Sequence, residues 1–275
     1  MQYDPIKQSL GKLFNFTPAL RILFYRLLNL LLLRSWHIRR ELKKWASSRN
    51  TGADILDAGS GFGQYSWTLS NLGGGCHIKG VDVKEDQIEE CNHFFSRIGK
   101  KGQVSFEIAD LTSFAEPDAY DLILSVDVME HIEDDRQVFR NFCETLVPGG
   151  MLLISTPSDK GGSDAHEHHQ DEVSGFIDEH VRDGYSPEDI REKLLKAGFE
   201  KVETHYTYGK PGHISWVLSM KMPILMLNTS HLFFLLLPLY YLVTWPIAYI
   251  LNILDTRQNH PEGTGLIVKA FKPSA

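Results

Sequence analysis

Asp57, Gly59, Gly61 and Gly63 follow the apolar pair Ile55-Leu56 in the spacing D-x-G-x-G-x-G, and a helical pattern begins at Gln64. An apolar strand that ends in a glycine turn and feeds a helix delivers a nucleotide-like ligand to the helix start. Glycine at 59 and 61 lets the backbone come close where a Cβ would collide. Position 64 is Gln, so the turn differs from the dinucleotide fingerprint G-x-G-x-x-G. Two further acids stand in register with it. Asp82 closes Gly80-Val81-Asp82-Val83, nineteen residues after Gly63, where a carboxylate accepts from both hydroxyls of a ribose. Asp110 closes Ile108-Ala109-Asp110-Leu111, where it accepts from an adenine amino group. The chemistry these residues suit is a grip on an adenosyl group.

With Tyr65 added, the first motif resembles that of class I S-adenosylmethionine-dependent methyltransferases. Two later segments carry the likeness further. Tyr120 to His131 is similar to the family's fourth strand, which lines the methionine side of the cofactor, and Leu146 to Ser155 to its turn into strand five. The resemblance covers roughly residues 50–206 plus 263–271. It implies an α/β fold with a doubly wound, seven-stranded, mostly parallel sheet in the order 3-2-1-4-5-7-6, the last strand antiparallel. It also implies S-adenosyl-L-methionine as cofactor, at the carboxyl ends of the strands. The implied contacts are Asp57, Gly59, Ser60, Gly61, Gly63, Tyr65, Asp82, Val83, Asp110, Leu111, Ser125 and Asp127. Backbone amides near Ser60 and the carboxylates of Asp82 and Asp110 are expected to cradle the donor together.

Methyl transfer from a sulfonium is an in-line displacement that needs alignment and exclusion of water, and a base only when the acceptor arrives protonated. His131, after strand four, and His168, in the loop after strand five, are the candidate bases. Glu130-His131-Ile132 recurs across the family whatever the substrate, so a helix-start or cofactor-pocket role is an equal reading of His131. The run His166 to Glu172 reads as a polar surface loop, a base or substrate-orienting group, or a metal site. Nothing in it gives a firm ligand spacing, so no metal is assigned. His180, Arg182 and Tyr185 either close the acceptor pocket or anchor the loop.

The positioning elements follow from alternation. Strands are expected near 54–58, 77–82, 103–108, 119–126, 150–155, 199–206 and 264–271, with helices near 64–72, 85–98, 134–145 and 187–197. Ser186-Pro187 marks a helix start and Gly198 a helix end. At 275 residues the chain suits one α/β domain with additions. The domain is read as 51–206 plus 263–275, with a basic amphipathic extension at 1–50 and an apolar insertion at 207–262.

Charge is unevenly spread. Residues 1–50 hold ten Lys/Arg against Asp4 and Glu41, within a chain of formal net charge −7. Because Leu20, Leu23, Phe24, Leu27, Leu28 and Leu31 recur among them at helical spacing, a membrane surface fits better than nucleic acid. Helices packed on the domain or closing its cofactor cleft are the other reading. Cys76, Cys91 and Cys143 are odd in number and read as free thiols in a reducing compartment. With no signal peptide apparent, the expected location is cytoplasmic, at the inner face of a membrane.

From Met222 to Leu254 no Asp, Glu, Lys or Arg occurs. The flanking strands belong to one sheet, so this segment must leave and return on the same side. Two bilayer crossings need about 40 apolar residues, so a hairpin of short helices, split by Pro238 and Pro246 and dipping into one leaflet, is expected. The expected acceptor is a hydrophobic small molecule or lipid, such as a quinone precursor. Oxygen is the expected acceptor atom, with carbon left open. The alternatives are a soluble acceptor with the hairpin as a homodimer interface, and a non-catalytic cofactor-binding scaffold.

Overall fold

The computed structural model of the chain describes residues 17–49, 52–161 and 181–274. Seven strands form one sheet: β1 (Asp54–Ala58), β2 (His77–Asp82), β3 (Val104–Ile108), β4 (Tyr120–Val126), β5 (Leu146–Pro157), β6 (Lys201–Thr207) and β7 (Gly265–Phe271). Their order is β3-β2-β1-β4-β5-β7-β6, with β7 antiparallel to both neighbours, as the resemblance implied. β5 is longer than expected because Tyr120 also pairs with Leu146, before the register shifts at the Pro148-Gly149-Gly150 corner.

The central strands are buried on both faces, so they read as apolar runs rather than alternating ones. On one face lie α5 (Asp135–Thr145) and α6 (Pro187–Lys196), which seal Val138, Phe139, Phe142, Ile190 and Leu194. The other face carries α3 (Gln64–Leu69), α4 (Glu85–Arg97) and both N-terminal helices, α1 (Pro18–Leu31) and α2 (Leu33–Ser47). Ile38 and Leu42 of α2 and Tyr25 of α1 are fully buried there. At about 1.5–3 kcal/mol for each side chain removed from water, these helices belong to the core.

The insertion is a helical hairpin between β6 and β7. One arm runs from α7 (Lys210–Trp216) through a π turn at Val217–Lys221 into α8 (Met222–Thr229). The other is α9 (Leu237–Arg257), one helix of 21 residues and about 31 Å where short broken pieces were expected. Pro238 lies in the first turn, where no backbone donor is needed. Pro246 orphans the carbonyl of Leu242, whose side chain is 74% exposed, so no buried acceptor is stranded. α9 has the length and composition of a membrane-crossing helix, yet its base is polar and buried: Asn252, Asp255 and Thr256.

That base is fixed by one carboxylate. Asp255 is fully buried and lies 2.8 Å from His37 Nε2 of α2 and 3.1 Å from His260 Nε2. It also accepts from the amides of Tyr208 at 3.2 Å and Gly212 at 2.9 Å. A Cβ at Gly212 would stand 2.5 Å from the carboxylate, so glycine is required for the approach. Removing one partner from such a cluster leaves buried polar groups unmet. Asp255→Ala should therefore cost about 3–5 kcal/mol in urea unfolding followed by tryptophan fluorescence; a loss below about 1 kcal/mol would show that the hairpin is held some other way.

Candidate active site

The glycine turn leaves β1 and is tied to the neighbouring strand. The amides of Gly59 and Ser60 both donate to Val81 O at 2.9 Å, and that of Gly63 donates to Ser60 O at 2.9 Å. Gly59 has φ +79°, and a Cβ there would sit 2.2 Å from a Val128 methyl. These bonds hold the turn's shape. The remaining glycine amide, at Gly61, donates to Asp82 Oδ2 at 2.8 Å, while Asp82 Oδ1 accepts from Lys84 N at 3.1 Å. A carboxylate has about four acceptor positions, so Asp82 retains two for hydroxyls.

β3 ends beside it, with Ala109 N donating to Asp82 O at 3.1 Å. Asp110 is exposed, and its Oδ1 accepts from the amide and hydroxyl of Thr112, both at 2.8 Å. Val83 exposes 63% of its surface next to Asp82, an apolar wall beside a carboxylate, whereas the Leu111 side chain points into the core. Asp57 lies beneath the turn, buried and accepting from Ser66 Oγ at 2.5 Å. Burial pushes its carboxyl up to about 7, against the pull of Ser66 and with a smaller push from Asp82. Ser60 Oγ and Ser125 Oγ are buried with no hydrogen-bond partner among the described residues. One belongs to the glycine turn and the other to the end of β4, and unmet buried hydroxyls at those places fit a polar ligand that completes them.

The N-terminal helices roof this crevice through polar contacts. Arg21 donates to Phe62 O at 2.8 Å and Tyr25 OH to the same carbonyl at 2.5 Å. Gln64 donates to Asn29 at 2.9 Å and to Ser35 at 3.1 Å, and Tyr65 OH lies 3.3 Å from Ser35 Oγ. Arg34, from α2, forms an ion pair with Asp127 at the end of β4.

Beyond that pair opens a cavity of about 350 Å³, lined by Arg34, Asp127, Thr156, Tyr208, His213 and Trp216 among others. It lies at the carboxyl ends of the parallel strands, where α/β sheets hold ligands. Asp127 (φ 50°) and Tyr208 (φ 58°) border it in left-handed backbone conformations, which cost non-glycine residues about 1–3 kcal/mol each and gather at functional sites. Burial raises the Tyr208 phenol, with Arg34 opposing. Glu130, buried below, is raised mainly by burial and accepts from Thr156 Oγ1 at 3.1 Å.

His131 stands exposed on the short 3₁₀ turn Met129–His131, outside the cavity lining. His168 and His180 lie outside the described residues, as does the run 166–172. Arg182 and Tyr185 join Asp135 and Lys193 in one network, with Tyr185 OH donating to Asp135 at 2.8 Å. Sequence reasoning did not single out Arg34, Tyr208, His213 or Asp255 as site residues. Arg34, Tyr208 and Asp255 are joined by contacts spanning many residues, such as Arg34 N to Tyr208 OH, 174 positions apart, and His213 stands in α7 at the base of the hairpin. Asp255 alone carried a signal, as the first charge after 33 uncharged residues.

Comparison with known proteins agrees with this geometry. The methyltransferase-domain family matches residues 49–203. Phosphoethanolamine N-methyltransferase of Triticum aestivum is 31% identical over 152 residues, 55% of this chain and 28% of that protein. O-methyltransferase resE of Aspergillus sclerotiorum is 29% identical over 158 residues, 57% of this chain and 58% of that one. The chain thus spans under two thirds of these relatives. Among solved structures, phosphoethanolamine N-methyltransferase 2 of Haemonchus contortus, in complex with phosphomonomethylethanolamine and S-adenosylhomocysteine, superposes with a TM-score of 0.59 at 21% identity, over 87% of this chain and 53% of that one. The [4+2]-cyclase SpnF follows at a TM-score of 0.55 and 19% identity, over 86% of this chain and 82% of that one, so the fold alone does not fix the reaction. With its glycine turn, paired strand-end acids, sheet order and more than half its length matched, the chain belongs to the methyltransferase-domain family.

Proposed function

We propose that the protein transfers a methyl group from S-adenosylmethionine to an apolar acceptor drawn from a membrane, with oxygen as the acceptor atom. The observation that carries this reading is the hairpin's double role. Its base supplies His213 and Trp216 to the cavity, while its far end exposes Leu232, Phe234, Leu235 and Leu242 at 63% or more. A contiguous exposed apolar surface marks a contact with another apolar phase. Lys221, at the head of α8, and Trp216 beside it stand where the polar base meets the apolar tip.

The donor supplies an electrophilic methyl on a positively charged sulfur. Asp82 is assigned to the ribose hydroxyls and Asp110 to the adenine amino group, with Ser60 and Ser125 completing their hydrogen bonds in the filled crevice. Gly59, Gly61, Gly63, Tyr65 and Val83 shape the walls, with Asp57 beneath the turn and Leu111 packed in the core behind it. The Arg34–Asp127 pair and helix α2 keep water from the space between donor and acceptor. A ring nitrogen of His213 takes the proton of an acceptor hydroxyl, and His131 is the alternative base.

A second reading rests on a different observation. The relatives named above include phosphoethanolamine N-methyltransferases, and among the described residues the cavity lining pairs a cation with an anion, Arg34 with Asp127. A small zwitterion that places its ammonium on Asp127 and its anion on Arg34 would replace that internal pair.

Asp82→Ala should weaken binding of S-adenosylhomocysteine by about 1.5–3 kcal/mol in calorimetry, the worth of hydrogen bonds to a charged group; unchanged affinity would refute the ribose assignment. His213→Ala should lower kcat by about 10²–10⁴ while leaving donor affinity intact, and His131→Ala should not. If His131→Ala alone slows turnover, the base is reassigned. Incubation with labelled donor decides between acceptors: label in a total lipid extract supports the membrane reading, and label in phosphoethanolamine the zwitterion. A protein that labels neither is a scaffold.

A further inference from the structure

Helix α1 turns a strip of side chains with polar ends most deeply inward and leaves part of its apolar surface outside, with Ile22 and Phe24 half-buried against the core. A helix packed on a domain normally turns its apolar stripe inward. Here Arg21, Tyr25 and Asn29 are the buried residues, at 4%, 0% and 6% exposure, while Leu23, Leu27 and Leu30 face outward at 48%, 39% and 40%. This orientation is fixed by specific partners: Arg21 and Tyr25 hold Phe62 O, and Asn29 donates to Thr68 Oγ1 at 3.1 Å. We propose that this outward face is a second membrane contact, which seats on an anionic bilayer and thereby holds the cofactor turn closed. The proposal rests on the membrane reading above.

Three observations select a bilayer as the occupant. The face is continuous with the hairpin. Trp36 Nε1 donates to Leu30 O at 2.9 Å where α1 meets α2, and the Trp36 ring lies 5.2 Å from Tyr249 of α9. Indole and phenol rings at the edge of an apolar surface occupy the headgroup level of membrane proteins. The rim is basic as well. Residues 17–49 hold eight Lys/Arg against Glu41 alone, and exposed Arg39 and Lys43 follow Trp36 at i+3 and i+7 along α2. Basic residues beside leucines suit anionic lipid. A second copy of the chain, meeting this face across a two-fold axis, would instead set like charges against each other.

The coupling to the cofactor runs through Phe62, a residue of the glycine turn itself. Phe62 is 40% exposed, its ring 5.9 Å from Phe24 and 6.0 Å from Tyr25 of α1, while its carbonyl is held by Arg21 and Tyr25. The next residue back, Gly61, contacts Asp82. Seating α1 on lipid therefore stabilises the arrangement that binds the adenosyl group. Linkage requires the reverse effect to be equal.

The test measures affinity for S-adenosylhomocysteine with vesicles of phosphatidylcholine, with and without phosphatidylglycerol. Affinity should tighten about 5–150-fold on the anionic vesicles only. The variant Leu23→Gln/Leu27→Gln/Leu30→Gln keeps helix propensity at exposed positions. It should bind S-adenosylhomocysteine like the parent in buffer, lose the tightening, and float less with anionic vesicles. Parent protein that floats but shows unchanged affinity overturns the coupling and leaves the membrane reading standing. Parent protein that stays with the soluble fraction removes both. If the parent is a dimer in buffer that the triple variant dissociates, a second copy covers the face and the proposal fails.

Discussion

A carboxylate removed from water costs several kcal/mol unless hydrogen bonds and charge replace the lost hydration. Asp255 offsets that cost with two imidazoles and two backbone amides, drawn from α2, from the corner after β6 and from the segment before β7. The N-terminal roof, the hairpin base and the strained Tyr208 backbone therefore share one anchor. The cavity exists because these three segments cannot move apart independently. On the opposite side of the site the Asp82–Gly61 contact does similar work at smaller scale, holding the glycine turn against the end of β2.

Electrostatic asymmetry has a structural counterpart. The basic residues of the extension are not spread over a solvated arm. Arg21 and Arg34 reach inward, to Phe62 O and Asp127, and Arg40 bonds Thr256 O at the foot of α9. What remains outside, including Arg26, Arg39 and Lys43, rims the apolar surface. The same segment thus serves as roof and as outer face.

Much of the sheet was legible in the sequence, because strand endings carry their own chemistry: the glycine turn after β1, Asp82 after β2, Asp110 after β3, the Pro148-Gly149-Gly150 corner in β5. Helix starts such as Ser186-Pro187 were equally local, with Ser186 Oγ accepting from Asp189 N at 3.1 Å. The cavity beyond the Arg34–Asp127 pair was not legible. Arg34, Tyr208, His213 and Asp255 come together only through tertiary contacts, and no local pattern announces them. The direction of α1 was hidden for a different reason. Leucine periodicity gives a stripe but not the side it faces, and here buried hydrogen bonds to Phe62 O and Thr68 Oγ1 set which side turns inward. The hairpin's continuity through Pro246 was likewise decided by exposure at Leu242, which a hydropathy pattern does not reveal.

Both feet of the hairpin stand on the same small platform. Gly212 at the base of one arm and Asp255 at the base of the other are in direct contact, and Ser215 ties the arms again through Asn252 at 2.6 Å. Above that second tie, no turn of either arm is needed to keep the sheet intact. The loop's reach is consequently a free dimension of the molecule: turns added or removed at the tip would change how far the exposed leucines stand from the sheet, while the platform and the strand ends below stayed as they are.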